Sequence, residues 1–167
     1  MIITTSFEHY ITGMPALSVR IDDELADWHL GEAFSGKKPL PIAGVNAPCT
    51  EHLWGLTGVD DRSEVLRLAG IIDSSHGPVF IASPARAIAD MLYGVIARDA
   101  DPSFIIINQI PLSEASLLML TGFVQCMHDR IPSPRLTAWL ERNTSITQRF
   151  SRECSDSTKI QTNPLPE

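Results

Sequence analysis

The sequence predicts an α+β domain in which about five helices pack on a small sheet of short strands. Apolar residues recur at helical spacing in several stretches, short β-branched runs lie between them, and turn residues separate the two kinds of segment. With 167 residues, 44% of them hydrophobic, the chain is long enough to bury one core. We therefore expect a single globular domain over residues 1–143 and a flexible polar tail over residues 144–167.

The first third of the chain predicts a strand, a helix and a loop. Residues 16–21 alternate apolar and polar side chains, which is typical of a half-buried strand. Residues 22–34 predict a helix, with carboxylates in the first turn, where the helix dipole favours them. Residues 35–48 contain three prolines and predict a loop with at most a short strand at residues 40–44.

The middle of the chain predicts two helices and a strand. A short helix capped by Thr50 precedes a clearer one, in which Asp61 is the expected N-cap, Glu64 is the third helical residue and Gly70 lies just past the end. Residues 77–82 are apolar and bounded by turn residues, so they predict a strand.

The second half predicts one strand and two further helices. Residues 101–110 are short and β-branched, which favours a buried strand. Residues 113–130 have the longest helical pattern, with Ser113 as its cap, and a last helix is expected to start at Ser133 and Pro134.

The overall charge and the cysteine count restrict the function classes. A net charge of −7 and a pI near 5.1 disfavour broad nucleic-acid binding, because a phosphate backbone would be repelled. Three widely spaced cysteines indicate neither a disulfide framework nor a zinc site. The first residues lack the pattern of a signal peptide, and no apolar run is long enough to span a membrane. We therefore expect a cytoplasmic protein with free thiols.

The densest group of reactive side chains is Cys49, Glu51 and His52. A cysteine near the start of a short helix can act as a nucleophile with a histidine as its base, so a small enzyme using Cys49 and His52 is one alternative. Neighbouring helix positions do not face one another, however, and the sequence assigns no third, orienting residue. Lone cysteines are more often packing residues, which favours a non-catalytic interpretation.

Motifs for a metal or a phosphate are absent from the sequence. The histidines at positions 29, 52, 76 and 128 do not share a ligand spacing such as HxxxH. The sequence has no glycine-rich phosphate loop and no GxSxG motif. We therefore expect neither a metal nor another cofactor.

Residues 17–25 resemble the strand and first-helix opening of ribbon-helix-helix DNA-binding proteins, and residues 62–69 resemble the second helix of that motif. The resemblance implies that Ser18 and Arg20 would contact the major groove from a dimer. A long proline-rich stretch separates the two segments, although the motif needs a short loop, and the net acidity also opposes DNA binding. A DNA-binding regulator therefore stays an alternative, as does a homodimer.

Residues 83–90, Ser-Pro-Ala-Arg-Ala-Ile-Ala-Asp, carry two charges at unfavourable helical positions. Ser83 is a good N-cap and Pro84 a good first helical residue, so the helix start is well specified. Arg86 then lies near the positive end of the helix dipole, and Asp90 is a poor interior helix former. Because the two are four residues apart on one face, we expect them to pair.

The same octapeptide resembles a signature in the C-terminal domain of AbiEi-type antitoxins, which belong to bacterial toxin–antitoxin (abortive infection) systems. In that family, a run of the form Ser-Pro-Glu-Arg-Thr-Leu-Leu-Asp directly follows a short strand. Ile88 matches a hydrophobic position, whereas Ala85 replaces the usual acidic residue. The similarity extends loosely over residues 40–143. The positions that match in register are Ser83, Pro84, Arg86 and Asp90.

The resemblance implies a module that binds another protein. Members of that family place a winged helix-turn-helix domain before the C-terminal domain and accompany a nucleotidyltransferase-like toxin. Only 82 residues precede the motif here, so we expect the DNA-binding half to be missing or degenerate. The leading interpretation is a non-enzymatic interaction protein that binds a toxin-like partner protein, with residues 83–90 as a marker of the fold.

Overall fold

The computed structural model describes residues 3–19 and 30–148 and has an α+β fold, which confirms the predicted class. The helices pack on a two-stranded antiparallel sheet, and residues 144–148 are also helical. The elements are α1 (Gly13–Leu17), α2 (Leu30–Ala33), α3 (Glu51–Trp54), β1 (Val59–Asp61), α4 (Ser63–Leu68), β2 (Phe80–Ala82), α5 (Pro84–Ile96), a 3-10 turn (Ile107–Gln109), α6 (Glu114–Arg130) and α7 (Pro134–Arg142).

The small sheet is widened by two extended segments. Strands β1 and β2 pair with Val59 opposite Ala82. Ile11 lies beside β2, where its N–H donates to the Phe80 carbonyl at 3.0 Å and its carbonyl accepts from the Ala82 N–H at 2.8 Å. On its other side, Ile11 bridges Ile42 in the antiparallel direction. The first extended segment of the chain therefore lies in the middle of the fold.

Helix α5 is the central element of the fold. Ten of its 13 residues are buried. Ile88 and Leu92 belong to a core cluster shared with α6 and α7, whereas Ala87 belongs to a second cluster formed with the sheet and α4. Alanines on the helix let both layers approach closely. A helix buried on nearly all sides explains why any charge it carries must find a partner inside the protein.

Local capping signals place several helices where the sequence predicts them. The Ser83 hydroxyl accepts from the Arg86 N–H at 3.3 Å, and the Ser113 hydroxyl accepts from the Ser116 N–H at 3.2 Å. Helix α7 begins at Pro134, although its N-cap Ser133 makes no capping hydrogen bond. Helices α5, α6 and α7 are therefore confirmed.

Two helix caps in the structure differ from the predicted ones. The N-cap of α4 is Arg62 and not Asp61, although the Asp61 carboxylate accepts from the Ser63 N–H at 2.9 Å. Gly70 lies just past the end of α4 with φ of +70°, as predicted. Helix α3 forms after Thr50, but the Thr50 side chain does not cap it.

The strand predicted over residues 101–110 is wrong. This segment is an irregular stretch that leads into the 3-10 turn. Its alternation of exposed and buried side chains is present, but the partners of its backbone come from α7. The Trp139 indole N–H donates to the Ile105 carbonyl at 2.8 Å, and the Asn143 amide oxygen accepts from the Ile107 N–H at 2.9 Å. These two side chains take the place of a neighbouring strand.

The strand predicted over residues 16–21 is also wrong where the structure describes it. Residues 16 and 17 belong to α1, and Ser18 is the C-cap of that helix. Ala16 and Val19 are buried three residues apart, so the apolar positions fit a helical turn as well as a strand. Of the helix predicted over residues 22–34, the structure describes α2 at its end; residues 20–29 lie outside the described residues.

The packed chain continues beyond the domain boundary predicted at residue 143. Ile146 is fully buried in the core cluster of α5, α6 and α7, and the Thr147 hydroxyl donates to the Leu140 carbonyl at 2.7 Å. Residues 149–167 of the predicted tail lie outside the described residues. Within residues 3–19 and 30–148, no helix is both long and apolar enough to cross a membrane.

Candidate functional site

Arg86 and Asp90 form a buried ion pair on α5. The Arg86 Nε donates to Asp90 Oδ1 at 3.0 Å, and the two side chains are 0% and 1% exposed. The pairing predicted from their four-residue spacing is therefore present. Its depth explains the two unfavourable helix positions, since each charge needs the other once both are out of water.

The rest of the Arg86 guanidinium is also satisfied. Its Nη1 donates to the carbonyls of Gly55 and Thr57 at 3.1 and 2.8 Å, and its Nη2 donates to the Thr50 hydroxyl at 2.9 Å. The planar fork of arginine can reach several acceptors at once. The Arg86 side chain thus fixes the position of the loop that joins α3 to β1.

Three hydroxyl groups converge on the Asp90 carboxylate. The Tyr10 and Thr12 hydroxyls donate to Oδ2 at 3.0 and 2.8 Å, and the Thr50 hydroxyl donates to Oδ1 at 2.5 Å. Tyr10 and Thr12 point to the same side because alternate residues of an extended segment share a face. Asp90 therefore joins α5 to two distant parts of the chain, at residues 10–12 and at Thr50.

The titration of this cluster is governed by burial. Burial, and after it the neighbouring Asp90 charge, raises the pKa of the Tyr10 phenol to about 12. Burial also raises the pKa of the Asp90 carboxyl, while the Arg86 charge and the hydroxyl donors act in the opposite direction. Arg86 and the hydroxyls are thus what offsets the desolvation of this carboxylate.

Aromatic rings complete the surroundings of Arg86. Its guanidinium carbon lies 5.1 Å from the centre of the Trp54 ring, 5.4 Å from Tyr10 and 5.7 Å from Phe123. A guanidinium is attracted to the face of such rings. With every polar group of the Arg86–Asp90 pair engaged and no exposed surface, this network stabilises the fold and offers a ligand no free group.

Sequence reasoning missed the partners of this ion pair. Thr50 was expected to cap a helix, and Tyr10 and Thr12 carried no signal beyond the alternation of a short extended segment. Their role depends on contacts across 40 to 80 positions of the chain. The spacing of Arg86 and Asp90 predicts the pair itself but not what surrounds it.

The structure does not bring Cys49 and His52 together in a hydrogen bond. Cys49 is exposed, and the His52 ring packs edge-on against Tyr93 with ring centres 5.7 Å apart. The His52 carbonyl accepts from Arg130 Nη1 at 3.0 Å. Among the described residues, no three or more histidine, cysteine or acidic side chains are grouped so as to hold a metal ion.

The structure does not place the two residues of the ribbon-helix-helix alternative on a strand where it describes them. Ser18 is at the end of α1, where its hydroxyl donates to the Met14 carbonyl at 3.4 Å, so it is not on a strand. Arg20 lies outside the described residues. The strand on which this resemblance depends is therefore not present at Ser18.

A large open groove lies where α1, the loop after α2 and the loop before α6 meet. Its volume is about 1370 Å³. Among its lining residues, Met14 and Phe104 are each 67% exposed and Ile106 is 41% exposed. The prolines that line it are Pro15, Pro39, Pro41, Pro84 and Pro111. Large exposed apolar side chains grouped on one surface are typical of an interaction site.

The shape of the groove follows from the irregular segment before α6. Ile105 and Ile107 point into the core, so the residues between and before them, Phe104 and Ile106, are turned outward. The hydrogen bonds from α7 hold this backbone in place. The segment predicted as a buried strand therefore supplies the exposed apolar wall of the groove.

Two adjacent lysines, Lys37 and Lys38, also line this groove and are exposed. The chain has one other lysine, Lys159, which lies outside the described residues. Sequence reasoning treated this pair as part of a loop. The signal that could have identified it is a pair of adjacent lysines, directly before Pro39, in a chain of net charge −7.

No family model matches the chain, and none of the curated proteins or solved structures compared with it matches either.

Proposed function

We propose that this chain is a non-enzymatic, cytoplasmic module that binds a partner protein through the groove between α1 and the segment before α6. The observation that carries the proposal is the group of outward-facing apolar side chains at Met14, Phe104 and Ile106. Burial of such side chains against a partner is favourable, and their exposure in the free protein has no benefit for stability.

The size of the groove favours a protein partner over a small molecule. Pockets for small molecules enclose roughly 300–1,000 Å³ and bury most of the ligand. This groove is larger, at about 1370 Å³, and it is open to solvent.

The groove is also preorganised. Five prolines line it, and the ring of each proline fixes the backbone angle φ. A surface that is already ordered loses little conformational entropy when a partner binds. The buried Arg86–Asp90 network adds to this, because it anchors α5, whose first residue, Pro84, lines the groove.

The resemblance of residues 83–90 to the AbiEi-type antitoxin signature supports the same kind of role. It suggests that the partner is a toxin-like protein encoded beside this chain. In this proposal the octapeptide is the structural support of the binding surface, since its charged side chains are buried and engaged with one another.

Co-expression with the products of the adjacent genes tests the proposal. We expect one of these products to inhibit growth when expressed alone, and to be neutralised by and to copurify with this chain. The variant pair Phe104→Ser and Ile106→Ser should abolish both effects. Leu68→Ser is the matched control, because Leu68 is 82% exposed on α4 and does not line the groove.

Thermal unfolding followed by circular dichroism checks that both variants are folded. If no neighbouring gene product is toxic and none copurifies with the wild-type chain, the proposal is wrong. It is also wrong if the Phe104 and Ile106 variants retain the partner as well as Leu68→Ser does.

A further inference from the structure

We propose that the segment of the partner that occupies the groove combines apolar side chains with carboxylates, and that Lys37 and Lys38 bind those carboxylates. This inference rests on the proposed function, because it specifies the chemistry of the partner at the same groove. Its support comes from the charges and the apolar surface that line the groove.

The two lysines are available for an ionic contact. Neither ammonium group has an ion-pair partner among the residues that the structure describes. Both residues are exposed, so their charges are hydrated and need no internal partner. Glu32 is the one carboxylate among the described lining residues, which leaves the cations in excess.

The start of one helix reinforces the positive potential. Pro84 lines the groove as the first residue of α5, and a helix N-terminus carries a partial positive charge. Helix α5 has no carboxylate in its first turn, whereas Glu114 offsets the charge at the start of α6. Among the described lining residues, two lysines thus outnumber one carboxylate, which favours the approach of an anionic segment.

Phe104 and Ile106 specify the apolar part of the segment. They contribute an aromatic ring and a branched aliphatic side chain to the groove that the two lysines also line. A segment with leucine or phenylalanine on one face and aspartate or glutamate beside it can contact both the apolar side chains and the lysines. A purely polyanionic partner, such as a nucleic acid, would leave the apolar wall uncovered.

Fluorescence anisotropy with the full chain tests this chemistry directly. The probe is a labelled peptide in which leucine and phenylalanine alternate with pairs of glutamates, compared with the same peptide carrying glutamine for every glutamate. We expect the glutamine peptide to bind about tenfold more weakly, as the loss of two exposed ion pairs predicts. The affinity for the glutamate peptide should fall as salt is added.

Variants of the protein locate the contact. The double variant Lys37→Ser and Lys38→Ser should lose about the same factor with the glutamate peptide and little with the glutamine peptide. Lys37→Arg with Lys38→Arg should retain the affinity. Arg98→Ser is the control for the loss of a cation elsewhere, because Arg98 is exposed and does not line the groove.

The outcomes separate this inference from the proposed function. If both peptides bind equally well, or if the lysine variants bind the glutamate peptide unchanged, the acidic partner segment is wrong even where a partner still copurifies through Phe104 and Ile106. If a single-stranded oligonucleotide competes better than the peptide, the anion is a nucleic acid and the inference fails. A dimer in sedimentation equilibrium that Phe104→Ser dissociates would identify a second copy as the occupant and also overturn it.

Discussion

The buried Arg86–Asp90 network and the open groove beside the start of α5 use charge in opposite ways. In the network, both charged side chains are at most 1% exposed and each hydrogen-bonds to groups of the protein itself. In the groove, Lys37 and Lys38 face solvent, and exposed apolar side chains line the same groove. Charge that is engaged internally stabilises the fold, whereas charge left without a partner is available for binding.

The groove is therefore a better candidate for a functional site than the buried network. Residues 83–90 are the most unusual feature of the sequence, and their charged side chains are buried in the structure, where they hold α5 to its surroundings. An unremarkable loop with two lysines and three prolines supplies the accessible surface. A buried charge pair costs a large desolvation energy, and removal of one partner leaves the other charge buried without compensation.

The largest expected effect is the loss of one partner of the buried pair. Arg86→Met leaves the Asp90 carboxylate buried without its counter-ion, and we expect the free energy of unfolding to fall by about 3–5 kcal/mol. Asp90→Leu should have a comparable effect. Urea unfolding of both variants, followed by circular dichroism, measures these changes.

The double variant Arg86→Met with Asp90→Leu measures the interaction between the two buried charges. Because neither charge is then left alone, its cost should be smaller than the sum of the two single costs, with a coupling energy of about 0.5–3 kcal/mol. Additive single effects would contradict the account of these two side chains as an interacting pair.

The structure also separates what the sequence predicts well from what it does not. Helices α5 and α6 follow from caps within three residues of the helix start, at Ser83 and Ser113. The Arg86–Asp90 pair follows from spacing along one helix. These features are local, so the periodicity and the residue types are sufficient to predict them.

The rest depends on contacts between distant residues. The hydroxyls on Asp90 come from positions 40, 78 and 80 residues away, and no local pattern assigns them to it. Residues 101–110 have the composition of a strand, yet Trp139 and Asn143 supply hydrogen bonds that would otherwise come from a neighbouring strand. Phe104 and Ile106 line the groove from this segment, so the prediction of a buried strand hid the apolar part of the groove.

A smaller effect is expected at Gly58, in the loop that Arg86 holds. Its φ is +77°, and an added Cβ would lie 2.8 Å from the Ser83 Oγ and 3.1 Å from the Arg86 Cβ. Gly58→Ala should therefore cost about 2–4 kcal/mol, from backbone strain and crowding together. Gly70→Ala is the matched control, because Gly70 also has a positive φ but an added Cβ would meet nothing within 4 Å. Equal costs for the two variants would show that the loop is not tightly packed on α5.

The alkaline stability of the protein should depend on Tyr10. The pKa of its phenol is about 12 in the folded chain, above the ordinary value of 10.0, so the unfolded chain releases this proton first. The stabilisation is fully present below pH 10.0 and is lost as the pH rises towards about 12. Urea midpoints measured across this range should fall more steeply for the wild type than for Tyr10→Phe. Tyr93→Phe, at the other tyrosine, should retain the steep fall.

The smallest effect on stability is expected in the groove, and it is the most informative one. Phe104→Ser and Lys38→Ser change side chains that face solvent, so each should alter the free energy of unfolding by no more than about 0.5 kcal/mol. The same changes should weaken partner binding, which the Arg86 and Asp90 variants would reduce only through loss of folded protein. Urea unfolding and copurification on the same preparations measure the two quantities together. If Phe104→Ser destabilised the chain as much as Arg86→Met does, its side chain would be part of the core, and the groove would lose the exposed apolar wall on which the binding proposal depends.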